Sequence, residues 1–515
     1  MESEEGIRLR KPDLKPVETK VKSKERDEED KKESCTAEEE PVSPAGRMFH
    51  EPNFNVHVLA IMGSKYKIQP DVAIANAPKT LLKHPRFSSL LVEDEGGKMK
   101  WVRTEVDLNK HVIVPEIDPN IESPDKFVED YIYNLTKTGL DKSKPLWEVH
   151  ILNLTTSDAK GVAVFRIHHS LGDGMSLMSL LLACTRQVAD PTALPTLPTR
   201  KSDGRNGGFI RRSSHCFFGI WWLLVLFWNT FVDVLMFMAT SLFLRDTKTP
   251  ISAPPNSELN PRRIVHKTVS FDDMKLVKDA MNMTINDVAV GITQAGLSKY
   301  LNRRYGEKNG YDKGASETKN NLPNKIRLRS VLLINIRPSA GIQELADMME
   351  KDTEAKWGNW VGYILLPFDI GLRDDPLDYI RKAKKTIDRK KHSLEVLVTS
   401  AIANFVLRLL GIKRASAQSH KIFCNTTFVF SNLPGPLEEI GIYGHELLYL
   451  APTSYGQPHA LMVNFQSYIN KMTIVLSVDE NVFPDPYKLC DDIAESLKLV
   501  KDAVVKRGLS ATAQN

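Results

Sequence analysis

Cysteine is scarce in this chain: Cys35, Cys184, Cys216, Cys424 and Cys490 are the only five among 515 residues. None stands in a CxxC pair, which argues against a disulfide framework and fits a reducing compartment. Zinc-type spacing is absent as well. An excess of one charge is also lacking: Lys and Arg number 69 against 64 Asp and Glu, a net +5. That surplus is too small, and too free of basic–aromatic interleaving, to point to nucleic acid. Residues 1–40 contain no apolar run of the signal-peptide kind. No short-period repeat runs through the chain.

What is present suits a globular protein of two or more domains, with 42% hydrophobic residues. Residues 1–40 mix Glu, Lys, Asp and Arg too densely to bury a core and read as a disordered tail. Residues 41–200 alternate strand and helix signals. Strands are expected at Phe54–Ile61, Leu146–Leu152 and 161–169, with a hairpin over 87–104 around Gly96-Gly97. Helices are expected at Pro70–Leu82 and Pro124–Leu140. Residues 263–508 repeat the alternation. Strands are expected at Ile264–Phe271, Leu328–Ile336, Val361–Pro367, Thr426–Phe430 and Leu447–Leu450, with a hairpin over Ala460–Val478 turning near Asn470-Lys471. Helices are expected at Asp272–Met281, at Thr284–Arg303 with Thr284 as cap, and at Pro486–Val505. A polar loop falls at 306–325 and a short tail at 509–515. The fold class is α/β: mixed sheets with covering helices, in two halves.

Between the halves, residues 201–262 form a crossover. It is basic at its start (Lys201, Arg205, Arg211, Arg212) and then apolar from Cys216 to Leu244. That run is long enough to span a bilayer, but Asp233 in its middle is costly in lipid. A full span and an interfacial, re-entrant or lid helix are both open readings. A single span would put the two halves on opposite sides of the membrane. A hairpin or interfacial insertion with both halves cytosolic is therefore expected. Sequons at Asn134, Asn153, Asn282 and Asn425 provide a test of that topology.

The densest chemistry is the string His168-His169-Ser170-Leu171-Gly172-Asp173-Gly174. It ends the strand-like run 161–167 and opens an apolar helix-like run. A strand-to-helix corner presents a His at the end of a sheet, where a held imidazole is a good general base near neutral pH.

HHSLGDG in a chain of two α/β halves resembles the HHxxxDG signature of the CoA-dependent acyltransferase superfamily. Its members include chloramphenicol acetyltransferase, the BAHD acyltransferases of plants, and peptide-synthetase condensation domains. Other segments resemble the bifunctional wax ester synthase/diacylglycerol acyltransferases, and the plant branch in particular. Pro41-Val42-Ser43-Pro44 is similar to that family's opening PLSP segment, and Asn286-Asp287 to its ND motif. Asn335-Ile336-Arg337-Pro338, Gly358-Asn359 and Ser431-Asn432-Leu433-Pro434-Gly435-Pro436 are similar to further blocks. The DFGWG motif of BAHD enzymes and a carrier-protein domain are absent.

The resemblance implies two chloramphenicol-acetyltransferase-like halves with the active site between them. It implies direct transfer of a fatty acyl group from acyl-CoA, a substrate and not a cofactor, to a long-chain alcohol and to diacylglycerol. His169 is the implied proton acceptor, with no acyl-enzyme and no metal. His168 orients the loop and Gly174 allows the turn. Asp173 is structural, with Arg337 or Arg47 as its ion-pair partner. Asn286, with Asp287 beside it, is the candidate for the oxyanion or substrate. The expected setting is a lipid membrane, the endoplasmic reticulum first and the plasma membrane second. The alternatives are an acyltransferase for another alcohol, and a non-catalytic lipid-binding or scaffold protein.

Overall fold

The computed structural model describes residues 39–198, 215–308, 319–336, 357–359 and 361–509. In the first half come β1 (Glu39–Pro41), α1 (Pro44–Met48), β2 (His57–Ser64), α2 (Pro70–Asn76), β3 (Ser89–Glu93), β4 (Met99–Arg103), β5 (Val112–Ile113), α3 (Pro124–Leu135), β6 (Trp147–Leu152), β7 (Gly161–His168), α4 (Gly174–Ala183) and β8 (Arg186–Gln187). The crossover holds α5 (His215–Leu242). The second half has β9 (Arg263–Ser270), α6 (Phe271–Ala280), α7 (Ile285–Lys308), β10 (Leu328–Asn335), β11 (Val361–Phe368), α8 (Pro376–Lys391), α9 (Glu395–Cys424), β12 (Phe428–Leu433), β13 (Ile440–Ile442), β14 (His445–Tyr455), β15 (Leu461–Tyr468), β16 (Lys471–Val478) and α10 (Pro486–Lys506).

These strands form a seven-stranded sheet ordered β5-β6-β7-β2-β14-β13-β8 and a six-stranded sheet ordered β11-β10-β12-β15-β16-β9, with a small sheet β1-β4-β3 beside them. The mixed α/β class is as expected. The halves are not separate in sequence, however. β14 leaves the second half and pairs antiparallel with β2 from Leu447↔Ser64 to Tyr455↔His57. Gly63 makes room for this strand: a Cβ there would lie 2.1 Å from the ring of Tyr449. A boundary drawn at residue 263 therefore assigns β13 and β14 to the wrong sheet.

Other departures have local causes. Strand β2 starts at His57 because Pro52–Phe54 is a 3-10 turn. The helix expected to reach Leu82 ends at Asn76 and continues as 3-10 turns across Pro78, a residue that cannot donate a helical hydrogen bond. Helix α3 stops at Leu135, with Thr136 capping. Residues 39 and 40, assigned to the tail, begin a strand on β4 that ends at Pro41; 1–38, 199–214 with the basic start of the crossover, 309–318, 337–356, 360 and 510–515 lie outside the described residues. Two helices, α8 and α9, fill 376–424, where the sequence analysis assigned no element.

Helix α7 lies at the centre of the second half. Its Val288, Ala289, Ile292, Leu297 and Leu301 are fully buried in a core shared with α8, α10 and the six-stranded sheet. Each large aliphatic side chain buried this way stabilises by about 1.5–3 kcal/mol. Helix α5, richer in apolar residues, is buried along one side only. Asp233 on that side is 1% exposed and bonds Arg389 Nη2 at 2.6 Å and Lys390 Nζ at 3.0 Å. Asn229 and Thr230 bond the backbone at His392 and Leu394. At its C-terminal end, Asn425 Nδ2 donates to Thr240 O at 2.7 Å and Arg329 Nε to Asp246 Oδ1 at 2.6 Å. The charge that looked costly in mid-span is thus neutralised inside the protein.

Candidate active site

Strand β7 ends at His168, and a single 3-10 turn, His169–Leu171, leads to α4. His168 is buried and turned inward. Its Nδ1 and Ser170 Oγ lie 2.7 Å apart, its Nε2 and Asn55 Oδ1 3.0 Å apart, and its ring stacks on His50 at 4.2 Å. Burial pushes its pKa well below the usual histidine value, so it is a neutral group that holds the corner.

His169 lines a cavity of about 1670 Å³. Its backbone N–H donates to Val56 O at 3.0 Å, and Phe49 stacks on its ring at 4.3 Å. Asn359, from the second half, brackets it. Asn359 Nδ2 donates to His169 O at 3.0 Å, which turns Oδ1 toward the ring, 3.2 Å from Nδ1. An amide oxygen can only accept, so Nδ1 carries the proton and Nε2 is left as the basic nitrogen. Burial lowers the His169 pKa; the nearby Asp173 charge and the Asn359 bond oppose that only in part. The imidazole is therefore neutral at pH 7 and able to accept a proton.

The same short segment grips the corner twice more. Trp357 Nε1 donates to Leu171 O at 2.6 Å, and Ser176 Oγ donates to Gly358 O at 3.0 Å. Trp357 packs so close that a Cβ on Gly172 would lie 2.9 Å from its ring. The constrained glycine is thus Gly172. Gly174 starts α4 without a left-handed φ, and a Cβ there would make an ordinary 3.4 Å contact with Leu433. The expectation that Gly174 is the residue allowing the turn is corrected accordingly.

Asp173 is buried and caps α4, Oδ1 accepting from Ser176 N at 2.8 Å. Arg47 donates to Gly97 O at 3.4 Å. Arg337 lies outside the described residues. Asn286 lines the cavity, and its Oδ1 accepts from Asn432 Nδ2. That leaves its own Nδ2 as a donor. Asp287 points away from this site. Its Oδ2 accepts from Thr284 N and Thr284 Oγ1, both at 2.8 Å, a reciprocal cap at the start of α7. Asp287 is thus a helix-capping residue, not a substrate group. Among the described residues no group of His, Cys, Asp or Glu is placed to hold a metal ion.

Residues from both sheets and from α1, α4, α5 and α9 line the cavity, which is mostly apolar. Asn359 is the site residue that sequence reasoning did not single out. It entered only as part of a Gly-Asn block, and the signal for its role is spatial.

Two sheets that share one apolar cavity, with a His-bearing corner on one and the clamping segment leading into the other, define a two-lobed α/β protein. The comparisons with known proteins narrow the class. The profile described as the wax ester synthase/diacylglycerol acyltransferase catalytic domain matches residues 45–289, and the WS/DGAT C-terminal domain matches 357–501. The chain is 52% identical over 485 residues to wax ester synthase/diacylglycerol acyltransferase 11 of Arabidopsis thaliana, covering 93% of this chain and 99% of that one. It is 50% identical over 490 residues to number 5 of the same plant, covering 92% and 96%. In fold it is similar to the wax ester synthase/diacylglycerol acyltransferase from Marinobacter aquaeolei VT8, with a TM-score of 0.56, 16% identity and coverage of 90% and 100%. It is also similar to a starter condensation domain of rhizomide synthetase solved in complex with C8-CoA and Leu-SNAC, with a TM-score of 0.51, 11% identity and coverage of 91% and 94%. The chain belongs to the wax ester synthase/diacylglycerol acyltransferase family and is an acyltransferase.

Proposed function

We propose that this enzyme transfers a fatty acyl group from acyl-CoA directly to the hydroxyl of a long-chain alcohol, giving a wax ester, and of diacylglycerol, giving triacylglycerol. The observation that carries the reading is a neutral His169, with Nε2 left basic by Asn359, at the wall of a large apolar cavity. His169 Nε2 takes the hydroxyl proton as the oxygen attacks the thioester carbonyl. The tetrahedral intermediate places a negative charge on the former carbonyl oxygen. Asn286 Nδ2 is the donor that meets it. Collapse breaks the carbon–sulfur bond, and the proton on Nε2 passes to the departing CoA sulfur. No acyl-enzyme forms, and the histidine returns to its starting state. Asp173 acts by holding α4 and the corner in place.

The reading places both sheets on the cytosolic side, where acyl-CoA is supplied, at the endoplasmic reticulum in preference to the plasma membrane. The internal ion pairs of Asp233 support a helix α5 that lies at the membrane surface and does not cross it.

The test is acyl transfer by membranes of neutral-lipid-deficient yeast expressing the chain or its His169→Ala variant. Labelled palmitoyl-CoA is supplied with hexadecanol or with diacylglycerol. Both products are expected from the wild type and neither from the variant. Triacylglycerol alone would restrict the acceptor to diacylglycerol. No product with either acceptor, from folded protein, would favour another alcohol or a scaffold role.

A further inference from the structure

Two helices are long and apolar enough to cross a membrane by length and composition, Trp221–Leu242 of α5 and Glu395–Cys424 of α9. They contact each other, and both are walls of the cavity. On α5, Phe237 and Ser241 face the cavity or the core. Trp221, Leu224, Trp228, Phe231 and Leu235 recur at steps of three or four along the other side, each more than half exposed. On α9, Thr399, Ala403, Val406 and Leu407 line the cavity, while Leu397, Phe405 and Leu409 stand outward at 63%, 64% and 66% exposure. Gly411, at φ 75°, ends this apolar arm. Monomeric soluble proteins rarely leave rows of large apolar side chains of this kind in water.

We infer that the 395–410 arm of α9 is a second membrane-contacting element, paired with α5, and that the cavity opens between the two helices into an anionic lipid bilayer. This rests on the acyl-transfer reading only for what travels through the opening. The charges argue for lipid as the occupant over a second copy of the chain. The single acidic residue on each apolar stretch, Asp233 and Glu395, is buried and paired with Lys390. The exposed charges at the ends are all cationic: Arg245 and Lys248 after α5, and Arg408, Lys413, Arg414 and Lys421 on α9, of which Arg414 and Lys421 also line the cavity. None of these six forms an ion pair among the described residues. Tryptophans at 221, 222 and 228 supply the amphipathic rings that settle at the headgroup level. Each cation near an anionic surface adds to the attraction. With Asp233 tied to α8, α5 lies along the interface, and α9 beside it closes the second wall of a lateral opening. An alcohol or diacylglycerol reaches His169 through that opening without crossing water.

The test uses the full chain without substrate, so its failure is separate from a failure of the acyl-transfer reading. Hydrogen–deuterium exchange is followed with and without vesicles of equal parts phosphatidylcholine and phosphatidylglycerol. Protection of both 221–242 and 395–410 is expected. Protection of 221–242 alone would overturn the role of α9, and protection of neither would overturn the surface. Flotation of the Phe405→Glu/Leu409→Glu variant, whose two positions lie outside the cavity, should show partitioning weakened on the order of a hundredfold. An unchanged partition of a variant that melts like the wild type would overturn the proposal. Equal binding to pure phosphatidylcholine vesicles, or binding of Arg408→Ser/Lys413→Ser that is as salt-sensitive as wild type, would overturn the anionic part.

Discussion

The corner at residues 168–176 and the segment at residues 357–359 lie in hydrogen-bond contact and are built in opposite ways. The corner is contiguous: one strand end, one turn and one helix start hold the proposed base His169, the buried His168 and the cap on α4. The segment is three residues without regular structure, about as far away in sequence as the length of a domain. It contributes no proton acceptor. It decides which nitrogen of His169 is basic and how tightly the corner turns. The motif can therefore supply the proposed base while the other lobe supplies its tautomer and aim.

That division of labour can be broken from either side, with effects of different size. Removing the base is the severest. His169→Ala should lower kcat by roughly 10²–10⁴-fold, with little change in melting temperature, read by product formation with hexadecanol. Retained activity would mean the corner is not the catalytic element. Removing the clamp should cost less. Asn359→Leu leaves the imidazole in place but frees its tautomer and orientation, and a loss of roughly 10²-fold in kcat is expected, with KM nearly unchanged. A purely structural role for Asn359 would lower stability and leave kcat per folded molecule intact. Asp173→Ala should act mainly on the fold of the corner. Loss of the α4 cap is worth about 1 kcal/mol, measured by denaturant unfolding.

The smallest effect is on pH dependence. The protonated ring cannot act as base, and burial holds the His169 pKa below 6.5. The acidic limb of kcat/KM should therefore lie below pH 6.5. The Asn359 bond favours the charged ring, so Asn359→Leu should move that limb further down. A limb at or above the ordinary histidine value would contradict the buried, neutral base.

Much of the catalytic corner was legible because its determinants are local. The apolar run 161–167 requires a strand, and Asp173-Gly174 requires a break before an apolar helix. The chemistry-bearing residues sit at that break. Asp287 misled for a related reason. Next to Asn286 it reads as a paired site, yet it lies three residues after Thr284, the spacing of a capping box, and that local rule decides its side chain. The role given to Gly174 follows from turn propensity, which is visible in sequence, whereas the packing of Trp357 against Gly172 is not. The placement of β14 on β2 was equally hidden. A strand that changes sheet has the same alternation as one that does not. Helices α8 and α9 went unassigned although Ile380, Ala383 and Ile387 follow a helical spacing, and α9 is long and apolar.

By itself the sequence determined the α/β class, the acyltransferase motif and an apolar crossover with a charge in its middle. Each follows from periodicity or from residues adjacent in the chain. The tertiary structure decided which nitrogen of His169 is basic, which glycine is pressed, and that Asp233 is neutralised by Arg389 and Lys390. It also decided that two apolar helices, not one, line the cavity. These depend on partners more than a hundred residues distant. No local propensity encodes such contacts, which exist only once both sheets have closed around the cavity.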